Sequence, residues 1–333
     1  MTAPLHAIAA CMRNEGQFLL EWVAYHRAIG FDRVFVATND CTDGTDAMLD
    51  RLSEIDDIHH IRNHVTPGIP PQVSGMRRIL AHPAMADIAW LLHCDADEFL
   101  DVTLGAGRVA DLTAALSPAD DPADVIAICW QPMGSGGLKD WPGGSVIETF
   151  TRTAGKARRD SERHKSLFRP ALFAEAIDHM PKAPRRDSLT LKDTEGRRLD
   201  PRALFHPTHS QFRRNRAVPL TWANASLRHY AVKSEDVFLM KNIRGDGMGI
   251  VSDKYHLGSL FWKRGDRNRR EDRAMLRHLP ATRAIWDRYL ADPVLGPLDR
   301  AAQNWFRDQR ARHLTEARRR AWTTTTPQEE ARP

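Results

Sequence analysis

Apolar and polar positions along the first hundred residues switch between two periods. Ala7-Ile8-Ala9-Ala10-Cys11 is a short apolar run of strand type, whereas Gln17 to Ile29 carries Phe18, Leu19, Trp22, Val23, His26 and Ile29 at helical spacing. Gly30 suits the position just past the end of that helix. The alternation repeats with a strand over Arg33 to Thr38, a loop over Asn39 to Gly44 and a helix over Thr45 to Ile55. A strand over Ile58 to Arg62, a loop over Pro67 to Pro71, a helix over Gln72 to Leu80 and a fourth apolar strand, Ile88 to Leu92, follow. This β-α-β-α-β-α-β order predicts an α/β fold with a mostly parallel, Rossmann-like sheet and helices on both faces.

Past residue 100 the regularity weakens. Glu98 to Val102 reads as a short edge strand, Val125 to Trp130 as a buried strand, and Ser145 to Arg152 as a further strand. Residues 181–202 are polar and proline-rich and predict a mobile loop. Helical spacing returns over Val218 to Asn224, Glu235 to Ile243 and Arg270 to Arg320, and the tail from Thr323 reads as disordered. The expected organisation is a sheet core over residues 1–150, a continuation of the same domain over 151–262, a basic helical region over 263–322 and a tail over 323–333.

Composition adds limits. The 333 residues carry a net charge of +5, with 16 Lys or Arg against 8 Asp or Glu between Lys263 and Arg320. Those cations are interleaved with acids and apolar residues, which favours a solvated helical face over a membrane-surface patch; no nucleic-acid motif accompanies them. The four cysteines, Cys11, Cys41, Cys94 and Cys129, form no Cys-x-x-Cys pair and read as free thiols of a reducing compartment. The N-terminus lacks a basic segment followed by a long apolar one, and no apolar run reaches the ~18 residues of a membrane span, so a cytoplasmic location is expected.

Candidate chemistry gathers where the strands end, the edge at which open α/β sheets bind ligands. Arg13-Asn14-Glu15 follows the first strand, Asn39-Asp40 and Asp43-Gly44-Thr45 the second, and His93-Cys94-Asp95-Ala96-Asp97-Glu98 the fourth. Each alone fits an ordinary helix cap or turn. Two carboxylates with one residue between them at a buried strand end repel each other and lose hydration, which a divalent cation shared with substrate phosphate oxygens relieves.

The segments Ala10 to His26 (ACMRNEGQFLLEWVAYH), Asn39 to Thr45 (NDCTDGT) and Asp95 to Leu100 (DADEFL) resemble family 2 glycosyltransferases, and most closely a branch similar to the family 92 enzymes that add galactose to glycans. The resemblance implies a GT-A fold, a nucleotide-sugar donor, UDP-linked, and Mn²⁺ or Mg²⁺. It places Arg13, Asn14 and Glu15 along the nucleotide, Asn39, Asp40 and Asp43 on base or ribose, Asp95 near ribose and metal, and Asp97 on the metal. Three later segments also resemble the branch. Trp130 to Gly137 is similar to its glycine-rich acceptor loop, with Met133 departing from the usual Phe. His164 to Pro170 is similar to a basic segment whose Lys165 or Arg169 would meet the diphosphate. His229 to Phe238 is similar to a signature in which His229 completes the metal site and Lys233 pairs with the diphosphate; Lys241-Asn242-Ile243-Arg244-Gly245 resembles its end.

Inverting transfer, which the resemblance implies, needs a carboxylate in reach of the acceptor hydroxyl. By spacing after the glycine-rich loop, Asp178 ranks first, Asp246 second and Asp187 third. Trp130, Trp141, Trp222 and Trp262 offer faces to a sugar ring or belong to the core. The expected acceptor is a glycan or a polysaccharide precursor; a lipid-linked sugar reached by basic helices at the inner face of a membrane is the alternative to a solvated helical face. Two other readings stay open: a nucleotidyltransferase, for which Arg13-Asn14-Glu15-Gly16 is a poor phosphate loop, and a non-catalytic glycan-binding relative, against which the intact Asp95/Asp97 pair argues.

Overall fold

A computed structural model describes residues 3–65, 67–158, 163–206, 212, 220–244 and 254–323. The N-terminal alternation folds as β1 (Leu5–Met12), α1 (Gly16–Ala28), β2 (Arg33–Thr38), α2 (Thr45–Ile55), β3 (Ile58–Arg62), α3 (Pro71–Leu80) and β4 (Ile88–His93). These strands pair in parallel in the order β4-β1-β2-β3. Because side chains alternate across a strand, Ile8, Ala10 and Met12 enter the layer that holds Phe18, Trp22 and Val23 of α1, while Ala7 and Ala9 enter the layer that holds Met76 and Ile79 of α3. Helix α3 lies close on the sheet because Gly75 has no side chain; a Cβ there would stand 2.7 Å from Cys11 Sγ.

The chain continues through β5 (Glu98–Val102), α4 (Val109–Leu116), β6 (Val125–Gly134), the one-turn helix α5 (Val146–Thr149), β7 (Arg152–Thr153) and β8 (His164–Phe168). Strand β8 lies antiparallel between β4 and β6. Then come β9 (Phe173–Ile177), β10 (Met180–Pro184), β11 (Leu191–Asp193), β12 (Arg198–Leu199), α6 (Arg202–Phe205) and β13 (Ala225–His229). Strand β13 pairs antiparallel with β5 and parallel with the far half of β6. The tip of β4 therefore opens into a cleft between the main sheet and this second ribbon.

The remaining elements are α7 (Glu235–Arg244), α8 (Leu260–Gly265), β14 (Arg270–Glu271), α9 (Leu279–Leu290), α10 (Leu295–His313) and α11 (Glu316–Ala321). Helix α10 is tied to the core by Arg51 on Asp292 at 2.7 Å, just before it, and by Gln303 on the Gln17 carbonyl at 2.9 Å. Several basic residues of this region are committed to internal pairs: Arg283 with Glu148, Arg288 with Asp56, Arg310 with Asp236 and Arg319 with Asp140. That accounts for part of the basic surplus without an external partner.

Three expectations are corrected. Ser145 to Arg152 is not a strand. Buried Glu21 of α1 accepts hydrogen bonds from Ser145 Oγ at 2.6 Å and from the backbone of Val146 and Ile147, and Ser145 Oγ accepts in turn from Glu148 N, so the segment starts as a helical turn. Residues 181–202 are not one long loop. Lys182, Lys192 and Asp193 are buried, and Lys192 Nζ is fixed by Asp121 and by the Leu116 carbonyl, which supports β11 against β6. The described part of Val218 to Asn224 is extended or turned rather than helical; Asn224 has φ 64° and leads into β13.

Candidate active site

Helix α1 shapes the acidic turn after β4. The Trp22 indole N–H reaches both the Asp95 carbonyl, at 3.2 Å, and the Glu98 carbonyl, at 3.0 Å. The Tyr25 hydroxyl donates to the Leu100 carbonyl at 2.7 Å. Within the turn, the Asp95 N–H donates to Glu98 Oε2 at 2.7 Å, and the Tyr230 N–H donates to the Asp97 carbonyl at 2.8 Å. The Glu-Trp-x-x-Tyr-His spacing thus has a mechanical role: one helix face clamps the backbone that carries Asp95 and Asp97.

The two aspartates line one cleft of about 280 Å³ but face opposite company. Asp97 Oδ2 accepts from Lys241 Nζ at 2.9 Å, and His229 Nε2 stands 3.5 Å from Oδ1. Burial alone would raise the Asp97 carboxyl, but Lys241, His229 and Lys233 outweigh it and hold it well below the usual range. Asp95 stands 3.1 Å from Lys165 Nζ. Lys165 is fully buried and also meets Asp178 at 2.8 Å and Glu98 at 3.6 Å. Burial pushes Glu98 well up, and pushes Asp95 up despite Lys165, while Lys165 and His179 overcome burial to hold Asp178 well down. Gln72, at the start of α3, bridges the Asp95 and Asp178 carboxylates at 3.2 and 3.1 Å.

The other expected residues divide into three groups. Arg13, Glu15, Asn39, Asp95, Asp97, Asp178 and His229 line the cleft together. Asp43 does not reach it: it accepts from Gly16 N on one oxygen and from Thr45 N and Oγ1 on the other, joining the starts of α1 and α2. Asp40 is exposed and holds the Asn39 amide, and Asn14 accepts from Thr42 N at 2.7 Å; neither lines the cleft. Lys165 sits beneath it as the hub of three carboxylates, and Lys233 faces an adjoining chamber. Arg169 packs over Trp90 and binds the Ala123 carbonyl, far from the diphosphate role expected of it. Asp187 is exposed and does not line the cleft; Asp246 lies outside the described residues.

Among the four tryptophans only Trp130 lines the cleft, its ring 4.0 Å from that of His229. Trp141 packs against Phe18 and Phe150, Trp262 against Phe238, and Trp222 donates to the Trp130 carbonyl. The glycine-rich loop is pinned elsewhere, with Ser135 N on Asp266 and Gly136 N on Asn268. Five contributors were not assigned a role from sequence: Gln72, Glu98, His179, Lys241 and Arg244. Arg244 pairs with Glu15, and His179 stands 3.0 Å from Asp178. Gln72 follows the third strand and its loop, so the strand-end logic reaches it too.

Among the described residues, no three His, Cys, Asp or Glu side chains gather as a preformed metal cluster. The donor set nevertheless fits a hard divalent ion that takes most of its shell from phosphate and water. Neighbouring ligands of an octahedral ion at ~2.1 Å lie roughly 3 Å apart, and Asp97 Oδ1 and His229 Nε2 are separated by 3.5 Å.

Comparison with known proteins supports the family 92 side of the resemblance and not the family 2 side. The chain is similar to a glycosyltransferase family 92 protein of Ricinus communis, 30% identical over 167 residues, which are 50% of this chain and 29% of the relative. It is similar to family 92 proteins of Arabidopsis thaliana (25% over 181 residues; 52% and 30%) and of Oryza sativa subsp. japonica (28% over 168 residues; 50% and 27%). The chain thus spans about three-tenths of the length of the curated relatives it matches. No family model matches it. Among solved structures, S. aureus TarS 1–349 aligns over 96% of this chain and 83% of its own at 13% identity and TM-score 0.37. The mannosyltransferase PcManGT from Pyrobaculum calidifontis, in complex with GDP-Man and Mn²⁺, aligns over 97% and 84% at 13% identity and TM-score 0.33. No helix among the described residues is long and apolar enough to cross a membrane.

Proposed function

We propose that the chain is a metal-dependent glycosyltransferase of the family 2-like, family 92-like branch, moving a sugar from a UDP-linked donor to a glycan or lipid-linked acceptor with inversion. The observation that carries the reading is the placement of ionised Asp97 beside Lys241 and His229, in a cleft that also holds Arg13, Asn39 and Asp95. Arg13 and Asn39 line its nucleoside end, and Asp95, kept in place by Gln72 and Lys165, receives the ribose. Asp97 and His229 would hold Mn²⁺ or Mg²⁺. When bound, that ion supplies positive charge against the departing diphosphate. Lys241 adds a fixed ammonium on the same carboxylate, so little reorganisation is needed as charge develops.

Asp178 takes the acceptor proton. The acceptor oxygen forms a bond to the anomeric carbon, the bond from that carbon to the β-phosphate oxygen breaks, the proton moves to the Asp178 carboxylate, and the nucleoside diphosphate leaves. The full ionisation of Asp178 keeps it ready to accept, and its low proton affinity makes the transfer a costly one. The four free cysteines support a reducing, cytoplasmic setting.

The test is nucleotide release from a panel of nucleotide sugars with Mn²⁺ or Mg²⁺ and a hydroxylated acceptor. Release of UDP supports the reading. Release of pyrophosphate from a nucleoside triphosphate would make the chain a nucleotidyltransferase. Glycan binding by a folded protein that releases nothing from any donor would make it a non-catalytic relative.

A further inference from the structure

Beyond the Arg244–Glu15 pair, on the far side of the cleft wall, lies a second chamber of about 190 Å³, roughly six waters' share of liquid volume. It is enclosed by the start of α1, by α7 and by α10, with Phe18, Met240, Trp305 and Phe306 as apolar walls. Its charge is one-sided. Arg13, Lys233, Lys241 and Arg244 line it against a single carboxylate, Glu15. Lys241 is committed to Asp97 and Arg244 to Glu15.

The remaining polar groups are conspicuous for what they lack. Lys233 is 2% exposed and has no hydrogen bond or ion pair among the described residues, only the Phe18 ring 4.4 Å away. Its backbone is left-handed, with φ 46°, a conformation that a lysine adopts at a cost. Arg13 Nε and Gln17 Oε1 are buried without any partner. A buried polar group with nothing to bond to is expensive, and an anion in the chamber gives Lys233 the partner it lacks. Burial pushes the Lys233 ammonium down to about 8, a penalty that an anion in the chamber would remove.

We propose that this chamber is a second ligand site for a hydroxylated oxyanion, a sugar phosphate or a sugar acid, with Lys233 and Arg13 on the anion and Gln17 accepting from a hydroxyl. The site adjoins the nucleotide cleft, with Arg13, Glu15, Lys241 and Arg244 on the wall between them, and its occupation does not depend on the transfer reaction. Two probes distinguish phosphate from carboxylate: glucose 1-phosphate and glucuronate, each followed by thermal shift with the full chain, with and without saturating UDP. At least one probe should raise Tm by mass action in both conditions. Lys233→Met should weaken its Kd at least tenfold while the UDP response is kept, and Lys233→Arg should restore binding. If Lys233→Met does not fold, Gln17→Met is the readout and should also weaken the probe. The proposal is overturned if neither probe shifts wild type, if UDP abolishes the shift, or if the Met variant binds as wild type does. A wild type that ignores UDP but still answers a probe would remove the transferase reading and leave the chamber standing.

Discussion

Asp95 and Asp97 are two residues apart and live in opposite electrostatic worlds. Around Asp97 one carboxylate meets the Lys241 ammonium at 2.9 Å, with the His229 imidazole 3.5 Å away and Lys233 nearby. Around Asp95 three carboxylates, with Glu98 and Asp178, share the single ammonium of Lys165. The cation-rich side keeps a charge permanently available to the cleft. The acid-rich side is a buried brace, whose net negative charge depends on one lysine. A repeated acidic motif therefore does not mean repeated duty: the strand end supplies two carboxylates, and the elements packed over them decide what each does.

Four substitutions break or sharpen this contrast. The largest expected effect is at Asp178, the half-buried member of the acid-rich side. Asp178→Asn should lower kcat about 10²–10⁴-fold with little change in donor KM; unchanged kcat would remove Asp178 as the base. Lys165→Met should cost about 3–5 kcal/mol of unfolding free energy in urea at neutral pH, because three carboxylates lose their common partner. That loss should shrink as pH falls and the acids enter the fold protonated, and a loss that grows toward acid pH would contradict the brace. On the cation-rich side, Asp97→Asn should reduce kcat about 10²–10³-fold and raise the Mn²⁺ concentration needed for half activity; an unaltered metal requirement would exclude Asp97 as a ligand.

The smallest effect lies outside both clusters. Burial lifts the Glu21 carboxyl from its ordinary 4.5 to about 7. The folded state then binds that proton more tightly than the unfolded state, so stability declines as pH rises from about 4.5 to about 7 and levels off above. Glu21→Gln should flatten that slope, with the difference between the two proteins changing by about 3 kcal/mol across the window. Parallel stability profiles would show that Glu21 titrates normally.

The N-terminal half was legible because each of its elements carries its own period. Strands β2 and β3 and helix α2 fall on their expected residues, since their burial is set by neighbours a few tens of residues away. The second half was less so, because long-range partners decide it. Ser145 to Arg152 alternates like a strand, and only Glu21, more than a hundred residues earlier, turns it into a helical cap. Buried Lys182 and Lys192 look like loop lysines until the carbonyls that receive them are known. Of the residues that the strand-end rule singles out, Asp95, Asp97 and Asn39 line the cleft, whereas the Asp43 side chain is absorbed in joining two helix starts; the rule passes over Lys241, which enters the cleft from a helix rather than from a strand end.

Glu21 and Trp22 are consecutive in α1 yet fasten different distant segments, one the turn that opens α5 and the other the backbone bearing the two aspartates. A shift of α1 by one residue along its axis would release both at once. The acidic tripeptide is thus not a portable cassette. Grafted onto another sheet without that helical pair, it would keep its letters and lose its shape.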